Sequence, residues 1–284
     1  MTVAVRPISG NDLIGVGQFL HHTLNARVSA AAWVQAMTVP WSVDAPNHGF
    51  LLEDGGQVVG AYLAFYSVRT VDGRVEPFCN LGAWCVADTH RFHSAKLLKA
   101  LLAQDGYTFT DLSPSGTVMA MNERLKFRYL DTATALVPCL PIPSIPGRWR
   151  VRTGDAVANA LTEPQLAIYR DHCRTAATAH LVLSRGERHC YVIYRRDRRK
   201  NLPLFASVLY VSDPELFATG IGVFARHLLL RRRIPVLLAE LRITGSRPTL
   251  SRLLRAPRRK MFRSSHLEPD QIDYLYSELT CVAW

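Results

Sequence analysis

Residues 84–104 read WCVADTHRFHSAKLLKALLAQ and join a short apolar run to an amphipathic segment through a polar turn. The run WCV predicts the end of a β-strand, and Leu97, Leu98 and Leu101 recur at helical spacing. A helix that begins directly after a strand presents unpaired backbone N–H groups and the positive end of its dipole. The stretch therefore predicts a strand, a polar loop and a helix that together can hold a phosphate group.

The composition of the 284-residue chain predicts a folded protein of two domains. Hydrophobic residues make up 48% of the chain, which argues against disorder. The first residues, MTVAVRPISGND, lack a cationic start followed by an apolar core, so we expect no signal peptide. No apolar run reaches the about 18 residues that span a bilayer. We therefore expect a cytoplasmic protein without a transmembrane segment.

The cysteines and histidines do not follow the spacings of a metal site. The six cysteines contain no C-x-x-C pair and are widely separated, and the ten histidines are equally scattered. We therefore expect free, mostly buried thiols and no metal ion.

The net charge of +11 is concentrated in the second half of the chain. Residues 1–140 hold 10 Lys and Arg against 11 Asp and Glu, whereas residues 141–284 hold 24 against 12. Two interpretations stay open. The arginine excess indicates an anionic partner such as a nucleic acid or an acidic surface, or it reflects a GC-rich genome and ordinary solvated faces.

The first half of the sequence predicts the element order β-α-α-β-β-β-α-β-α-β. Apolar residues at helical spacing predict helices within 11–24 and 29–41. The turn Asp54-Gly55-Gly56 between two apolar runs predicts a β-hairpin. Early antiparallel hairpins and a late strand–helix–strand crossover predict an α+β fold with helices on both faces of the sheet.

A proline-rich segment, PCLPIPSIPG (138–147), is unsuited to a helix or a central strand. We predict a first domain over 1–140, a linker over 141–150 and a second domain over 151–284. The pattern β-β-β-α-β-α-β occurs in both halves, which predicts two copies of one fold.

Further predictions concern individual segments of the chain. We predict a strand over 127–137, a short helix over 247–256 and a last strand over 277–284. RRDRRK (195–200) predicts an exposed hairpin tip or a contact to an anionic partner. Segment 272–279 is compatible with a strand or a helix.

The first half resembles the GNAT superfamily of N-acyltransferases, which use acyl-coenzyme A. The resemblance covers roughly residues 3–137 and rests on FLLEDGGQVVGAYLAF, LGAWCVADTHRFHSAKLLKALL and NERLKF. It implies that a central strand splits from its neighbour and that acetyl-CoA, or another acyl-CoA, lies in the cleft. The second half is more weakly similar to the same fold. The chain is thus expected to form two tandem GNAT-like domains, each a mixed, mostly antiparallel sheet flanked by helices.

The resemblance implies a coenzyme A site on the stretch 84–104. Backbone N–H groups of Cys85 and Val86 would stabilise the oxyanion of the thioester, and the loop from Arg91 to Lys96 would hold the pyrophosphate. The family pattern Arg/Gln-x-x-Gly-x-Gly/Ala is only partly kept, because Ser94 and Lys96 stand where the glycines fall. The residues expected to bind the cofactor are Trp84, Cys85, Val86, Arg91, Phe92, His93, Ser94, Ala95 and Lys96.

The expected catalytic residues are Asp111, Ser113 and Asn122. Asp111 follows a predicted strand and is a candidate general base, and Ser113 is a candidate to bind the acceptor or a plain turn residue. Asn122 stands where the family often has a tyrosine that protonates the leaving thiolate, so the thiolate leaves unaided or another group serves. His90 and His93 are further candidates for a phosphate contact or a base.

In the second half, Asp213-Pro214 stands at the position of the phosphate loop. A carboxylate there opposes a pyrophosphate, so we expect a degenerate domain that does not bind coenzyme A. The basic segment 253–265 suits a phosphate-bearing acceptor, the 3′-phosphate of coenzyme A, or an exposed strand.

These observations predict an acyltransferase that moves an acyl group, in the first instance acetyl, to an amine or hydroxyl of a small molecule or sugar. Direct attack in a ternary complex is what the resemblance implies. The alternatives are a non-catalytic module that binds RNA or another anionic surface, and an acetyltransferase that modifies a polysaccharide. A homo-oligomer is compatible with the sequence.

Overall fold

A computed structural model describes residues 3–142, 149–199 and 201–284. The chain divides into two compact units. The first contains residues up to Leu130 and two later segments, 259–272 and 276–284.

The second unit contains residues 131–258 and 273–275. The first change of unit along the chain lies between Leu130 and Asp131, upstream of the proline-rich segment in which we predicted a boundary. Residues 143–148 of the predicted linker lie outside the described residues.

Seven strands form the sheet of the first unit. In chain-order numbering they are β1 (Ala4–Pro7), β2 (Gly49–Asp54), β3 (Gln57–Val71), β4 (Arg74–Val86), β5 (Thr108–Asp111), β6 (Arg128–Tyr129) and β14 (Met261–Arg263). Their order across the sheet is β1-β2-β3-β4-β5-β14-β6. All neighbours are antiparallel except β4 and β5, which are parallel.

Helices cover both faces of this sheet, as the sequence predicted. They are α1 (Leu13–Thr23), α2 (Ala30–Met37), α3 (Ser94–Leu102), α4 (Gly116–Arg124) and α8 (Glu278–Cys281). Val16 and Trp33 from α1 and α2 pack with Leu63 on one face, whereas Leu97 of α3 packs with Leu81 on the other. The crossover from β4 through α3 to β5 thus places the start of α3 at the end of β4.

The second unit contains another seven-stranded sheet. Its strands are β7 (Thr134–Pro138), β8 (Arg150–Thr153), β9 (Ala179–Arg185), β10 (Arg188–Arg199), β11 (Leu202–Val211), β12 (Val236–Glu240) and β13 (Arg252–Leu253). Its helices are α5 (Glu163–His172), α6 (Pro214–Arg232) and α7 (Leu241–Thr244). The strand order is β8-β9-β10-β11-β12-β7-β13, and only β11 and β12 are parallel. The predicted α+β class with two mixed, mostly antiparallel sheets is confirmed.

The two sheets are built from non-contiguous stretches of chain. The place beside β5 is taken by β14, which comes from far downstream. The place beside β12 is taken by β7, which follows the first unit directly in sequence. A cut in the proline-rich segment would therefore remove one strand from each sheet.

Four local predictions were wrong. The strand predicted over 127–137 is interrupted and its two pieces, β6 and β7, belong to different sheets. Segment 277–284 contains the helical turn α8, and 247–256 contains strand β13. The predicted hairpin tip at 195–200 is in part buried, since Arg195 and Asp197 are covered.

In the part of the chain that the structure describes, no helix is long and apolar enough to cross a membrane.

Candidate functional site

Strands β4 and β5 part at one end of the first sheet. They pair from Phe78–Thr108 to Leu81–Asp111, where β5 ends, and β4 continues to Val86. Beyond Leu81 the far edge of β4 therefore has no paired strand, and we call this unpaired edge the opening.

A β-bulge shapes β4 within this opening. Ala61 pairs with Cys85 and Leu63 pairs with Gly82, so β4 carries one more residue than β3 here. Ala83 has a positive φ of 54°, which is uncommon for a residue with a side chain. Bulges bend a strand and redirect its groups, so the end of β4 is directed by local backbone geometry.

The orientation of the amides at the end of β4 follows from one hydrogen bond. The Ala87 N–H donates to the Val59 carbonyl of β3 at 2.8 Å. Because successive residues direct their backbone groups to opposite edges of a strand, the Val86 amide points away from β3, into the opening. By the same alternation the Cys85 amide points toward β3. Of the two amides predicted to hold an oxyanion, Val86 has the suitable orientation.

Two buried carboxyl groups lie at the closed end of the opening. Asp111, the last residue of β5, accepts a hydrogen bond from Asn122 Nδ2 at 2.9 Å. Glu278, the first residue of α8, accepts one from Ser113 Oγ at 2.9 Å. All four side chains belong to the first unit. The three residues predicted to be catalytic are therefore brought together, with Glu278 as a fourth member.

Local contacts fix Glu278 in place. Ser277 caps the helical turn by accepting from the Leu279 amide, and the Glu278 amide donates to Asn80 Oδ1 at 2.8 Å. Gly82 allows this close approach, because a Cβ there would lie 2.8 Å from the Cβ of Glu278. The short helix therefore delivers a carboxylate to the surface of β4.

Burial dominates the electrostatics of the carboxyl pair. Loss of solvent raises the pKa of Asp111 to about 7. Burial, and then the charge of Asp111, raise the pKa of Glu278 to about 8. Such values let the pair change protonation near neutral pH, which is the property a proton acceptor needs.

The cluster also contains polar atoms without partners. Glu278 Oε2, Asn122 Oδ1 and Trp84 Nε1 are buried and make no hydrogen bond. Trp84 stacks on Tyr62, with ring centroids 4.6 Å apart. Burial, then the charges of Asp111 and Glu278, raise the pKa of Tyr62. The site is thus a buried, acceptor-rich cluster near a stacked aromatic pair.

The predicted pyrophosphate loop has a defined conformation. Residues Asp88–His93 form a 3₁₀ helix that leads directly into α3. The His90 amide donates to the Ala87 carbonyl, and the Ser94 amide donates to the Arg91 carbonyl. Amides inside a 3₁₀ helix bind the carbonyl three residues back. The amides at the start of this 3₁₀ helix are therefore those of Asp88 and Thr89, upstream of the loop from Arg91 to Lys96 that we predicted to hold the pyrophosphate.

Two side chains near the start of this 3₁₀ helix contact neighbouring carboxylates. Arg91 pairs with Asp88 at 2.7 Å, and His90 contacts Asp54 at 3.2 Å. Phe92 is 98% exposed, so it does not form part of a pocket wall. Lys96 is exposed. The cations predicted for this loop are present, but one of them is offset by a neighbouring carboxylate.

Sequence reasoning missed Glu278, Asn80 and Tyr62. Glu278 had one detectable signal, because it is the only charged residue in the apolar ending LYSELTCVAW. Asn80 and Tyr62 lie in apolar strands, and only the pairing of those strands places them at the site.

The thiols and the metal-binding groups have no evident role. Burial raises the pKa of Cys85 to about 11, so its thiol is protonated at neutral pH. Across residues 3–142, 149–199 and 201–284, no group of His, Cys, Asp and Glu is arranged to hold a metal ion.

Comparisons with known proteins identify the fold. No family model matches the sequence, and no curated protein matches it. Similar solved structures include a GCN5-related N-acetyltransferase from Anabaena variabilis, with a TM-score of 0.58 and 12% identity over 92% of this chain and 72% of that chain. A putative acetyltransferase from Pyrococcus horikoshii has a TM-score of 0.57 and 12% identity over 93% of this chain and 90% of its own.

A tandem GNAT protein from the clavulanic acid biosynthesis pathway is similar over 92% of this chain and 97% of its own, with a TM-score of 0.52 and 14% identity. Identities of this size define a fold and leave the activity open. The chain has the GNAT fold in a tandem arrangement, as predicted from the sequence.

Proposed function

We propose that the first unit transfers an acyl group from acyl-CoA to a primary amine, and that Glu278 accepts the proton of the nitrogen. The observation that carries the proposal is the opening beyond Leu81 and Asp111, where β4 presents an edge that β5 does not cover. The solved structures of the same fold are named as acetyltransferases or GNAT proteins, which supports acyl transfer as the reaction class.

The opening suits the amide-bearing arm of coenzyme A. An extended chain with amide groups can bind a strand edge through main-chain hydrogen bonds, and the Val86 amide is directed to that edge. The diphosphate end of coenzyme A fits less well, because the helix start carries the negative charge of Asp88. Arg91, the nearest arginine in this stretch, is paired with that carboxylate. His93 and Lys96 are the next basic residues along the chain. We therefore expect weak to moderate coenzyme A affinity.

The chemistry of the carboxyl pair favours an amine as acceptor. An ammonium group brings three N–H donors and a positive charge. Glu278 Oε2 and Asn122 Oδ1 are buried acceptors without partners, and leaving them unpaired is costly. A hydroxyl brings one donor and no charge, so it would satisfy fewer of these atoms.

Bound acyl-CoA supplies an activated carbonyl and a thiolate leaving group. In its ionised form, Glu278 takes the first proton from the ammonium group. The nitrogen then bonds to the carbonyl carbon as the C–S bond breaks, and its second proton passes to the departing sulfur. Burial, and then the charge of Asp111, which Asn122 holds in place, keep the pKa of Glu278 raised so that it ionises near neutral pH.

Thiol release from acetyl-CoA in the presence of single amines tests the proposal. A panel of polyamines, amino sugars, amino acids and peptide amines, with alcohols of the same size, would be followed by thiol detection and by mass spectrometry of the product. We expect amine-dependent release that rises with pH between about 6 and 9 as Glu278 ionises.

The matched control is Glu187→Gln, which removes an exposed carboxylate in the second unit. This variant should keep full activity, whereas Glu278→Gln should lose it. Calorimetry that shows coenzyme A binding without turnover of any acceptor would favour a non-catalytic module. Release with alcohols alone would contradict the amine assignment.

A further inference from the structure

Arginines cluster in the second unit where the last turn of α6 meets β10. Arg196 of β10 donates from Nη2 to the Arg232 carbonyl at 2.7 Å. Arg231, Arg232 and Arg233 are all exposed. The pKa of His227 is lowered by burial and then by the charges of Arg232 and Arg231. Positive charge is therefore concentrated at this end of the unit.

Carboxylates do not offset this cluster. The acidic residue of β10, Asp197, accepts hydrogen bonds from Ser207 at 2.7 Å and Arg258 at 3.0 Å. Because side chains alternate along a strand, Asp197 points to the face opposite Arg196. In α6, every residue of which is described, Glu215 is the one acid and lies in the first turn. The arginines thus face solvent as a group.

Two exposed leucines lie among these arginines. Leu230 of α6 is 60% exposed and has Arg226 and Arg233 as neighbours at helical spacing. Leu204 is 39% exposed and lies between the β11 partners of Arg199 and Asp197, where the β10–β11 register shifts. Both leucines are exposed, so the surface combines positive charge with apolar contact area.

We infer that this basic patch, defined as Arg196, Arg198, Arg226, Arg231, Arg232 and Arg233 with Leu204 and Leu230, binds an anionic lipid surface. Arginines bind lipid phosphates while leucines enter the interface between headgroups and acyl chains. The helix dipole favours the arginines at the end of α6, but it does not account for Arg196 and Arg198, which belong to a strand. The patch contains no aromatic residue to stack on bases, which disfavours single-stranded nucleic acid.

Flotation of the full-length protein with vesicles tests the inference. The vesicles would be phosphatidylcholine with and without about one third phosphatidylglycerol at physiological salt. We expect flotation with the anionic vesicles only. The combined change Arg196→Gln, Arg231→Gln and Arg232→Gln should weaken partitioning by about 100-fold, at roughly five-fold per arginine. The matching change of the same three residues to Lys should retain it.

A control of equal charge replaces Arg74, Arg124 and Arg255, which are exposed outside the patch, by Gln. It should float like the unmodified protein. Leu204→Ser with Leu230→Ser should reduce flotation that persists at high salt. Equal loss in the control, no flotation at all, or tighter binding to a DNA oligonucleotide that the same three glutamines abolish would each overturn the inference. Circular dichroism melting of every variant separates loss of binding from unfolding.

Discussion

In both units the fifth strand across the sheet, counted from β1 or from β8, ends at a buried carboxyl group. The surroundings of that carboxyl group differ between the units. In the first unit β5 ends at Asp111, and in the second β12 ends at Glu240; both carboxyl groups are buried. Glu240 accepts a hydrogen bond from the Tyr274 hydroxyl, and Arg242 lies over that ring at 5.2 Å. Near Asp111, by contrast, Glu278 keeps one oxygen without a partner.

The helix starts that follow the central strands β4 and β11 also differ between the two units. The second unit starts α6 with Asp213, whose side chain accepts from the Leu216 amide at 2.8 Å and pairs with Arg188 at 2.7 Å. A carboxylate of the chain thus occupies the position where an anion would bind. In the first unit Asp88 makes no such cap. The helix start of the second unit is therefore occupied by a carboxylate of the chain itself, whereas that of the first unit is not.

Separating the units is the most severe test of this comparison. A fragment of residues 1–140 lacks β14 and α8, whereas a fragment of residues 131–258 holds all seven strands of its sheet. We expect a cooperative thermal transition from the second fragment and none from the first. Calorimetry measures both. A cooperative transition in 1–140 would show that β14 is dispensable.

The carboxyl groups themselves provide the next test. Glu278→Gln should lower kcat by about 100-fold or more, because general-base contributions reach that size. Glu240→Gln should leave kcat unchanged, since Glu240 is bound by Tyr274. Steady-state kinetics with one amine acceptor compares the two variants. Similar losses in both would remove the functional distinction between the units.

Stability should depend on pH through the same pair. The folded pKa values of Asp111 and Glu278, about 7 and about 8, lie above their unfolded values near 4. Their contribution is complete below pH 4 and is lost as the pH rises through 7 to 8. Between pH 5 and pH 9 we expect the free energy of unfolding to fall by about 6–7 kcal/mol for the pair.

Urea denaturation at several pH values measures this slope. The Glu278→Gln variant should unfold with a much flatter pH dependence, because the group that ionises at a cost is absent. The control Glu187→Gln should keep the original slope. An unchanged slope in Glu278→Gln would mean that Glu278 is ionised throughout this range.

The smallest expected effect concerns the two helix starts. Asp88→Asn should tighten coenzyme A binding about two- to five-fold, because a charge near a helix N-terminus is worth roughly 0.3–1 kcal/mol. Asp213→Asn should leave coenzyme A affinity unchanged. Isothermal calorimetry with coenzyme A distinguishes them, and a gain in the second variant would show that the second unit binds the ligand.

Local signals in the sequence predicted most elements and failed where pairing is long-range. The turn at Gly55-Gly56 was predicted because both residues can take positive φ, as they do. The sequence gives no local sign that β7 joins the second sheet and β14 the first. The apolar residues of a short strand do not specify the sheet to which it belongs. The interruption between β6 and β7 has the same origin.

The candidate site was predicted to a similar extent. Asp111, Ser113 and Asn122 were proposed because they follow or face the crossover that resembles a GNAT cleft, and the structure groups them. Glu278 was not assigned a role, since its place beside Gly82 depends on a close approach between distant segments. We also did not predict the 3₁₀ conformation of Asp88–His93. The stretch contains no glycine that would indicate the type of turn.

The place of β14 beside β5 has a consequence for synthesis. A chain emerging from the ribosome can assemble every strand of the second sheet before Met261 has emerged. The first sheet must wait with the edge of β5 uncovered, and exposed strand edges promote aggregation. The half of the gene translated first thus encodes the unit completed last, and nascent chains stalled before residue 261 should depend most on chaperones.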